Sequence, residues 1–363
     1  MIGDKTYAIV VAKTNHVTND FTAAGIQVID LSDPANPTAV ASRNDGDQGF
    51  ENFAKAIAVD TFMISDKTYA IVTIMNDDGL RVIDLSDPEN PTAVGSAVDG
   101  ANGFDMLDGA AEVDTFVIGA KTYAIVASYS GNGIQVLDLS DPTKPTGVAS
   151  ARDGDPGFDV LGGPRDVKTF MIGDKTYAIV ATGGAESGIQ VIDLSDPTNP
   201  TGVASAIDGA NGFDQLGLAW GVDTFVIGDK TYAIVTDYND DGFQVIDLSD
   251  PTNPAAVASA TDNANGFDVM ERAGKVHTFV FGGATYAIMG SYDDNGVQVI
   301  DLSNPANPTP VASATDSDPG FKLNGAHGVD SFVIGAKTYV IVSCEGTPGN
   351  AEFPGSIQVI ELV

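Results

Sequence analysis

The stretch GIQVIDLSDPTNPT at residues 188–201 recurs as GLRVIDLSDPENPT from Gly79, GIQVLDLSDPTKPT from Gly133 and GFQVIDLSDPTNPA from Gly242. A second phrase, TYAIV or a near variant, places tyrosines at Tyr7, Tyr69, Tyr123, Tyr177, Tyr232, Tyr286 and Tyr339, with successive spacings of 62, 54, 54, 55, 54 and 53 residues. Both markers count seven copies, the last version of the first being SIQVIELV from Ser356. A chain that repeats at this interval folds as repeated units, each of which buries its faces only against its neighbours.

Within a unit the apolar period is two rather than 3.6, and the apolar residues are mainly Val, Ile, Phe and Tyr, which suit a pleated surface. Taking one unit as the sample, four strands follow: A over Val167 to Ile172, B over Thr176 to Ala181, C over Gly188 to Ser195 and D over Thr201 to Ala206. IGDK between A and B reads as a tight hairpin with Gly173 and Asp174 suited to positive φ. SDPTNP between C and D carries Pro197 and Pro200, which a central ladder does not tolerate, so the strands end where the prolines stand. No stretch of 12 residues has helical phasing, and almost no helix is expected.

Four-stranded antiparallel units of this length, seven times over, predict an all-β fold: a seven-bladed β-propeller spanning residues 1–363 as one domain of seven repeats of about 54 residues. The first unit starts at strand B and the last stops after strand C, so 26 strands are expected and the terminal blades are incomplete. That pattern also suits a piece of a longer chain. A six-bladed ring or an open β solenoid are the competing architectures; the ring would leave two strands without a place, and a solenoid needs atypical polar end units, which neither terminus supplies.

Connectivity puts the A–B and C–D turns on one side and the B–C loops and D–A crossovers on the other. The first side is nearly uniform between units. The second varies and is rich in Asp, Asn and Gly, as in TDYNDDG, SYDDNG and the six crossovers of the form DGANGFD. Carboxylate, amide and backbone oxygens are the hard ligands Ca²⁺ takes. The best candidates are Asp237, Asn239, Asp240 and Asp241, with Asp293 and Asp294 one unit on; none has the EF-hand spacing, and the same side chains also cap turns without metal. The Phe of each GF pair and of each strand A recurs at the repeat interval and is assigned to packing between units.

Fifty Asp and Glu against 17 Lys and Arg give a formal net charge of −33, which repels phosphate backbones and anionic lipid headgroups. Nucleic acid is therefore excluded as an expected partner. Neither an apolar run long enough to span a membrane nor a signal-peptide pattern is present in the chain as given. Cys344 is the only cysteine, so no intrachain disulfide forms. The three histidines, His16, His277 and His327, fall at different phases of different units, and no nucleophile elbow, phosphate loop or dinucleotide fingerprint occurs. What breaks the pattern is the candidate partner surface: Trp220, Arg272 in ERAGKVHTF, His16 in the first B–C loop and Glu345 in the last.

The phrases GIQVIDLSDPTNP, GLRVIDLSDPENP and GFQVIDLSDPTNP closely resemble the LVIVD repeat, whose typical wording is a strand LxVVDVSDP followed by a proline-bounded turn. The resemblance covers nearly the whole chain; its departures are SIQVIELV, where Glu361 replaces the aspartate, and DLSNP, where Asn304 replaces the second aspartate. It implies a β-propeller of a bacterial or archaeal surface or secreted protein, often one module of a longer chain, and brings no catalytic motif. The expected function is a non-catalytic interaction or structural module of the cell exterior, with Ca as the candidate cofactor and a protein or glycan as the candidate partner. A hydrolase or lyase built around a central channel, and self-assembly through unpaired terminal strands, stay open as alternatives.

Overall fold

A computed structural model describes residues 2–12, 24–53, 55–346 and 356–363. Among them lie 26 strands and no helix, arranged as seven consecutive antiparallel sheets. The first sheet has strands B, C and D (Tyr7–Ala12, Gly25–Asp30, Thr38–Asn44), and the last has A, B and C (Ala326–Ile334, Lys337–Cys344, Ser356–Glu361). The five between are four-stranded in the order A–B–C–D. These are the blades of a seven-bladed β-propeller with two three-stranded terminal blades, as the repeat count predicts. The chain divides into two compact units, one made of Met1–Met171, Lys175–Ala178 and Asp193–Thr201, the other of Ile172–Asp174, Ile179–Ile192 and Gly202–Val363. Blades 1 to 3 lie in unit one, blades 5 to 7 in unit two, and blade 4 supplies strands to both.

The sample blade differs from its sequence reading at its edges. Strand A runs over Pro164–Ile172, three residues longer than expected, and strand C stops at Asp193 rather than Ser195. Strand C ends because the Ser195 amide turns back to donate to Asp193 Oδ1 at 2.9 Å. Strand A is longer because its start tolerates a bulge: in blade 5 the register with strand B shifts between Ala219 and Val222. The bulged Gly221 amide donates to Thr236 Oγ1 at 2.8 Å, and that hydroxyl donates to Gly274 O of the next blade at 2.6 Å. One buried hydroxyl thus satisfies the irregular backbone and ties two blades together. In the A–B turn only Gly173, at φ 61°, is left-handed, so Asp174 does not take the positive φ assigned to it and the hairpin is of the II′ kind.

Packing between blades follows the expected aromatic positions. In unit one, Phe62, Ile71, Leu80 and Val82 of blade 2 meet Phe104, Leu107, Val113 and Leu137 of blade 3. In unit two, Phe225, Ile234 and Phe243 of blade 5 meet Phe267, Met270, Val276 and Met289 of blade 6. Strand-A Phe stacks on strand-B Tyr within each blade, as for Phe225 and Tyr232 with centroids 5.5 Å apart. Burial of each such side chain stabilises by about 1.5–3 kcal/mol. The glutamine of GIQVIDL is a buried bracket: Gln244 Nε2 donates to Ala258 O of strand D at 2.8 Å, while Oε1 accepts the Asp214 amide of the crossover at 3.2 Å.

Candidate binding surface

The D–A crossovers and B–C loops are built by side-chain caps. In each crossover the first aspartate accepts a later backbone amide, as Asp99 Oδ1 does from Leu107 and Asp262 Oδ1 from Met270. At the end of the B–C loops of blades 2, 3, 5 and 6 an Asp or Asn in the left-handed region reaches into the next blade: Asp78 Oδ1 accepts the Gly109 amide, Asn132 Oδ1 that of Gly163, Asp241 Oδ1 that of Arg272 and Asn295 Oδ1 that of Gly325, all at 2.7–2.9 Å. Asn and Asp favour this conformation because a short polar side chain tolerates positive φ.

These caps place the six calcium candidates. Asp241 is engaged with Arg272, Asp294 Oδ2 accepts the Glu271 amide at 2.8 Å and the Ser291 hydroxyl at 3.0 Å, and Asp293 pairs with Arg272 at 3.2 Å. Asn239 is exposed, its amide donating to Asp237 Oδ1. Asp237 and Asp240 converge, and the crossover residue Asp208 joins them. Sequence reading missed Asp208 because it recurs in every repeat as a cap and nothing marks this copy.

The partner candidates fare differently. His16 lies outside the described residues. Trp220, second residue of strand A in blade 5 (Ala219–Ile227), stacks on Tyr238 of the same blade's B–C loop, with centroids 4.6 Å apart and planes 24° from parallel. The Arg272 guanidinium lies over the same Tyr238 ring, 5.5 Å from its centroid. His327, second residue of strand A in blade 7, meets Trp220 edge-on at 6.1 Å. Burial, and then the charge of Glu345, push the Tyr292 phenol up, while Arg272 works against them. Trp220, Arg272 and Glu345 therefore belong to one neighbourhood in unit two, completed by Tyr238, Tyr292 and His327, which sequence reading did not select. The available signal was positional: Trp220, Gly274 and His327 occupy the same strand-A position in successive blades, and Tyr238 and Tyr292 the same loop position. Unit one has a simpler counterpart, with Arg165 4.7 Å from the Tyr129 ring centroid.

The fifth residue of strand A gives a second polar series. In unit one it is Asp60, Asp114 and Lys168. Asp60 Oδ2 accepts both the amide and the hydroxyl of Thr115, at 2.8 and 2.6 Å. Asp114 accepts the Thr169 amide and hydroxyl and pairs with Lys168 Nζ at 2.8 Å. In unit two the series is Asp223, His277 and Asp330: His277 Nδ1 lies 3.6 Å from Asp223 and Nε2 lies 3.5 Å from Asp330 and 3.0 Å from Ser331 Oγ. These groups tie inner strands to one another. Burial pushes the Cys344 thiol up to about 12, and its Sγ donates to Lys322 O at 3.4 Å, so it is no nucleophile at neutral pH.

Fold and surface together define a β-propeller protein with seven blades. Solved structures agree in fold: a functionally unknown protein from Desulfotomaculum acetoxidans (13% identity, covering 98% of this chain and 98% of that one, TM-score 0.60), a putative 6-phosphogluconolactonase from Bacteroides fragilis (10%, 99% and 96%, 0.64) and the periplasmic gluconolactonase of Pseudomonas aeruginosa (12%, 99% and 96%, 0.63). No curated protein matches the sequence. The LVIVD repeat family model matches residues 21–45, 65–99, 121–152, 175–206, 223–262 and 287–316, more than half of the chain, and the protein belongs to that family. The matches stop before the seventh repeat, where SIQVIELV departs from the common wording.

Proposed function

We propose that this protein is a non-catalytic binding module of the cell exterior, and that the loop edge of unit two holds a neutral glycan. The observation that carries the reading is the convergence of Trp220, Tyr238 and Arg272, set among repeats that are otherwise nearly alike. Half-buried aromatic rings give flat apolar area beside polar tips, the combination that a sugar ring with one apolar face and a fringe of hydroxyls fits. The exposed Asp293 and Glu345 accept hydroxyl protons, and Arg272 donates. A charge of −33 disfavours acidic polysaccharides, which leaves neutral ones.

The inner-strand carboxylates do not favour hydrolysis. Asp60 and Asp114 are occupied by threonine hydroxyls and backbone amides, and His277 is bracketed by Asp223 and Asp330. Trp220 is the only tryptophan, so its emission reports on the proposed site directly. Titration with neutral oligosaccharides is expected to shift that emission, and Tyr238→Ala with Arg272→Ala is expected to weaken binding by tenfold or more, about 1.4 kcal/mol. Glycan binding undiminished in the double variant would overturn the assignment, as would turnover of the bound glycan.

A further inference from the structure

Blade 5 carries a set of oxygen donors that no other described blade repeats. Ligand atoms of Asp208 from the D–A crossover, Asp237 at the end of strand B (Lys230–Asp237) and Asp240 in the B–C loop all lie within 4.8 Å of one another. Asp237 is fully buried. Its Oδ2 accepts the Gly217 amide at 2.6 Å, and its Oδ1 accepts the amides of Leu218 and Asn239 at 3.0 Å and of Asp240 at 3.2 Å. Asp208 Oδ1 accepts the Leu216 amide at 3.0 Å. The carboxylates are thus held in place by backbone from two segments. These are carboxylates crowded without a counter-charge among their hydrogen-bond donors.

An acidic cluster of this kind could be turn-forming alone; Gln215 points further. Its side chain is 8% exposed, its Nε2 donates to Asp214 O at 2.9 Å, and its Oε1 has no hydrogen-bond partner. That oxygen lies 2.2 Å from where a Cβ on Gly242 would stand. Gly242 is the direct cross-strand partner of Asp237, and directly paired residues project from the same face of a sheet. Gln215 Oε1 therefore occupies the side-chain place beside the Asp237 carboxylate, and glycine at 242 is what admits it. A buried amide oxygen without a donor costs free energy, and native structures rarely keep one without a use.

The other blades supply the comparison. Where blade 5 has Gln215, blades 3 and 6 have Met106 and Val269, whose apolar ends fill the same place against Gly133 and Gly296. Where it has Asp237, blades 2, 3, 4 and 6 have Ile74, Ser128, Thr182 and Ser291. Blades 2 and 6 also have an aspartate at the Asp240 position, Asp77 and Asp294, but only blade 5 combines it with both Gln215 and Asp237.

We propose that Asp208, Asp237, Asp240 and Gln215 Oε1 form a Ca²⁺ site in blade 5. Carboxylate and amide oxygens are the donors Ca²⁺ takes, and the absence of nitrogen or sulfur from this set disfavours zinc and copper. The ion ties the D–A crossover to the B–C loop and so fixes Tyr238, which lies between two of its ligands in sequence. The inference stands apart from the glycan reading, because metal binding is measured without any sugar.

The test uses the full chain after chelator treatment. Tb³⁺, a luminescent Ca²⁺ probe, is added and excited through Tyr238 and Trp220; one sensitised ion per chain is expected, displaced by Ca²⁺, and Ca²⁺ alone is expected to raise Tm. Gln215→Met and Asp237→Ser put blade-3 residues into blade 5, so each is expected to fold, with affinity at least tenfold lower; Asp229→Asn, at an exposed acid in the A–B turn of the same blade, is expected to match wild type in Tb³⁺ affinity. Near-UV circular dichroism confirms folding of each variant, and Asp240→Asn supplies a third reading if Asp237→Ser fails that check. Sensitised binding that survives Gln215→Met and Asp240→Asn would overturn the site, as would folded wild-type protein that neither sensitises Tb³⁺ nor gains Tm with Ca²⁺.

Discussion

Two aspartates at the same place in neighbouring repeats illustrate how much a residue's meaning depends on the next blade. Asp60 and Asp114 both sit in VDTF and both accept a threonine amide and hydroxyl from the following strand A. Only Asp114 has a cation, Lys168, while burial and then the charge of Asp114 push the Asp60 carboxyl up. An acid with a raised folded pKa binds its proton more tightly when folded, so its ionisation costs stability as pH rises past the unfolded value. Asp60→Asn is therefore expected to leave Tm at pH 7 unchanged or higher. Asp114→Asn removes the Lys168 pair, whose lysine is 41% exposed, and is expected to cost about 1–2 kcal/mol in denaturant unfolding. Equal losses in the two variants would mean that the threonine bonds alone matter. The identity of such residues is legible in the sequence, but their partners are not: the flanks of His277 come from Asp223 and Asp330, and Asp208 reaches Asp237 only because a crossover folds back over its own blade.

At the scale of the strand, the repeated phrases explain themselves. The TYAIV and QVIDL strands were legible because β-branched alternation and bounding prolines are local signals. The strand-A bulge was not, since it depends on a threonine hydroxyl from strand B and a carbonyl one blade away. The lysine before TYAIV and the aspartate ending QVID also acquire a role, pairing across strands B and C as Lys5–Asp30, Lys67–Asp84, Lys121–Asp138, Lys175–Asp193 and Lys230–Asp247 at 2.7–3.2 Å. The Lys5 ammonium and then Ser32 hold the Asp30 carboxyl well down, at about 2. In Asp84, Asp138, Asp193 and Asp247 burial acts upward, yet the serine two residues on and the paired lysine bring the carboxyl down overall. Depressed acids contribute stability that is present above the unfolded value, about 3.9, and lost as pH falls through the folded one. The lysines are raised by the same hydrogen bonds, so their share is present below about 10.4 and lost above it. Tm is thus expected to fall between about pH 4 and 2. Lysine exposures of 53–61% make each pair weak, so the experiment replaces Lys67, Lys121, Lys175 and Lys230 together by Met and compares acid slopes. A shallower slope in the variant is expected; identical slopes would remove the pairs as the cause.

For the whole molecule, blade number and the three-stranded terminal blades were legible by counting, because a repeat that buries its faces only against neighbours has to be present as a unit. The effect of a missing strand shows in burial. Strand C of blade 4, Gly188–Asp193, lies between B and D and is buried along all but its last residue, whereas strand C of blade 7, Ser356–Glu361, pairs with Lys337–Cys344 on one side and is half-buried throughout, with Glu361 exposed. Among the described residues no strand pairs with its other edge, which is a template for a further strand. The chain itself specifies what suits that edge: in blade 4 the turn SDPTNP is closed by Asp196, whose Oδ1 accepts the amide and hydroxyl of Thr198, and delivers strand D at Thr201–Ile207. Replacing the exposed Val363 by SDPTNPTGVASAI is therefore expected to complete the sheet and raise Tm, by about 1 °C for each kcal/mol gained. A matched extension with proline at alternate positions of the added strand cannot donate to the ladder and is expected to give no rise. If both extensions shift Tm equally, strand addition is not the cause. If the pairing-competent extension also abolishes concentration-dependent light scattering that the original chain shows, the same edge is the one through which chains associate.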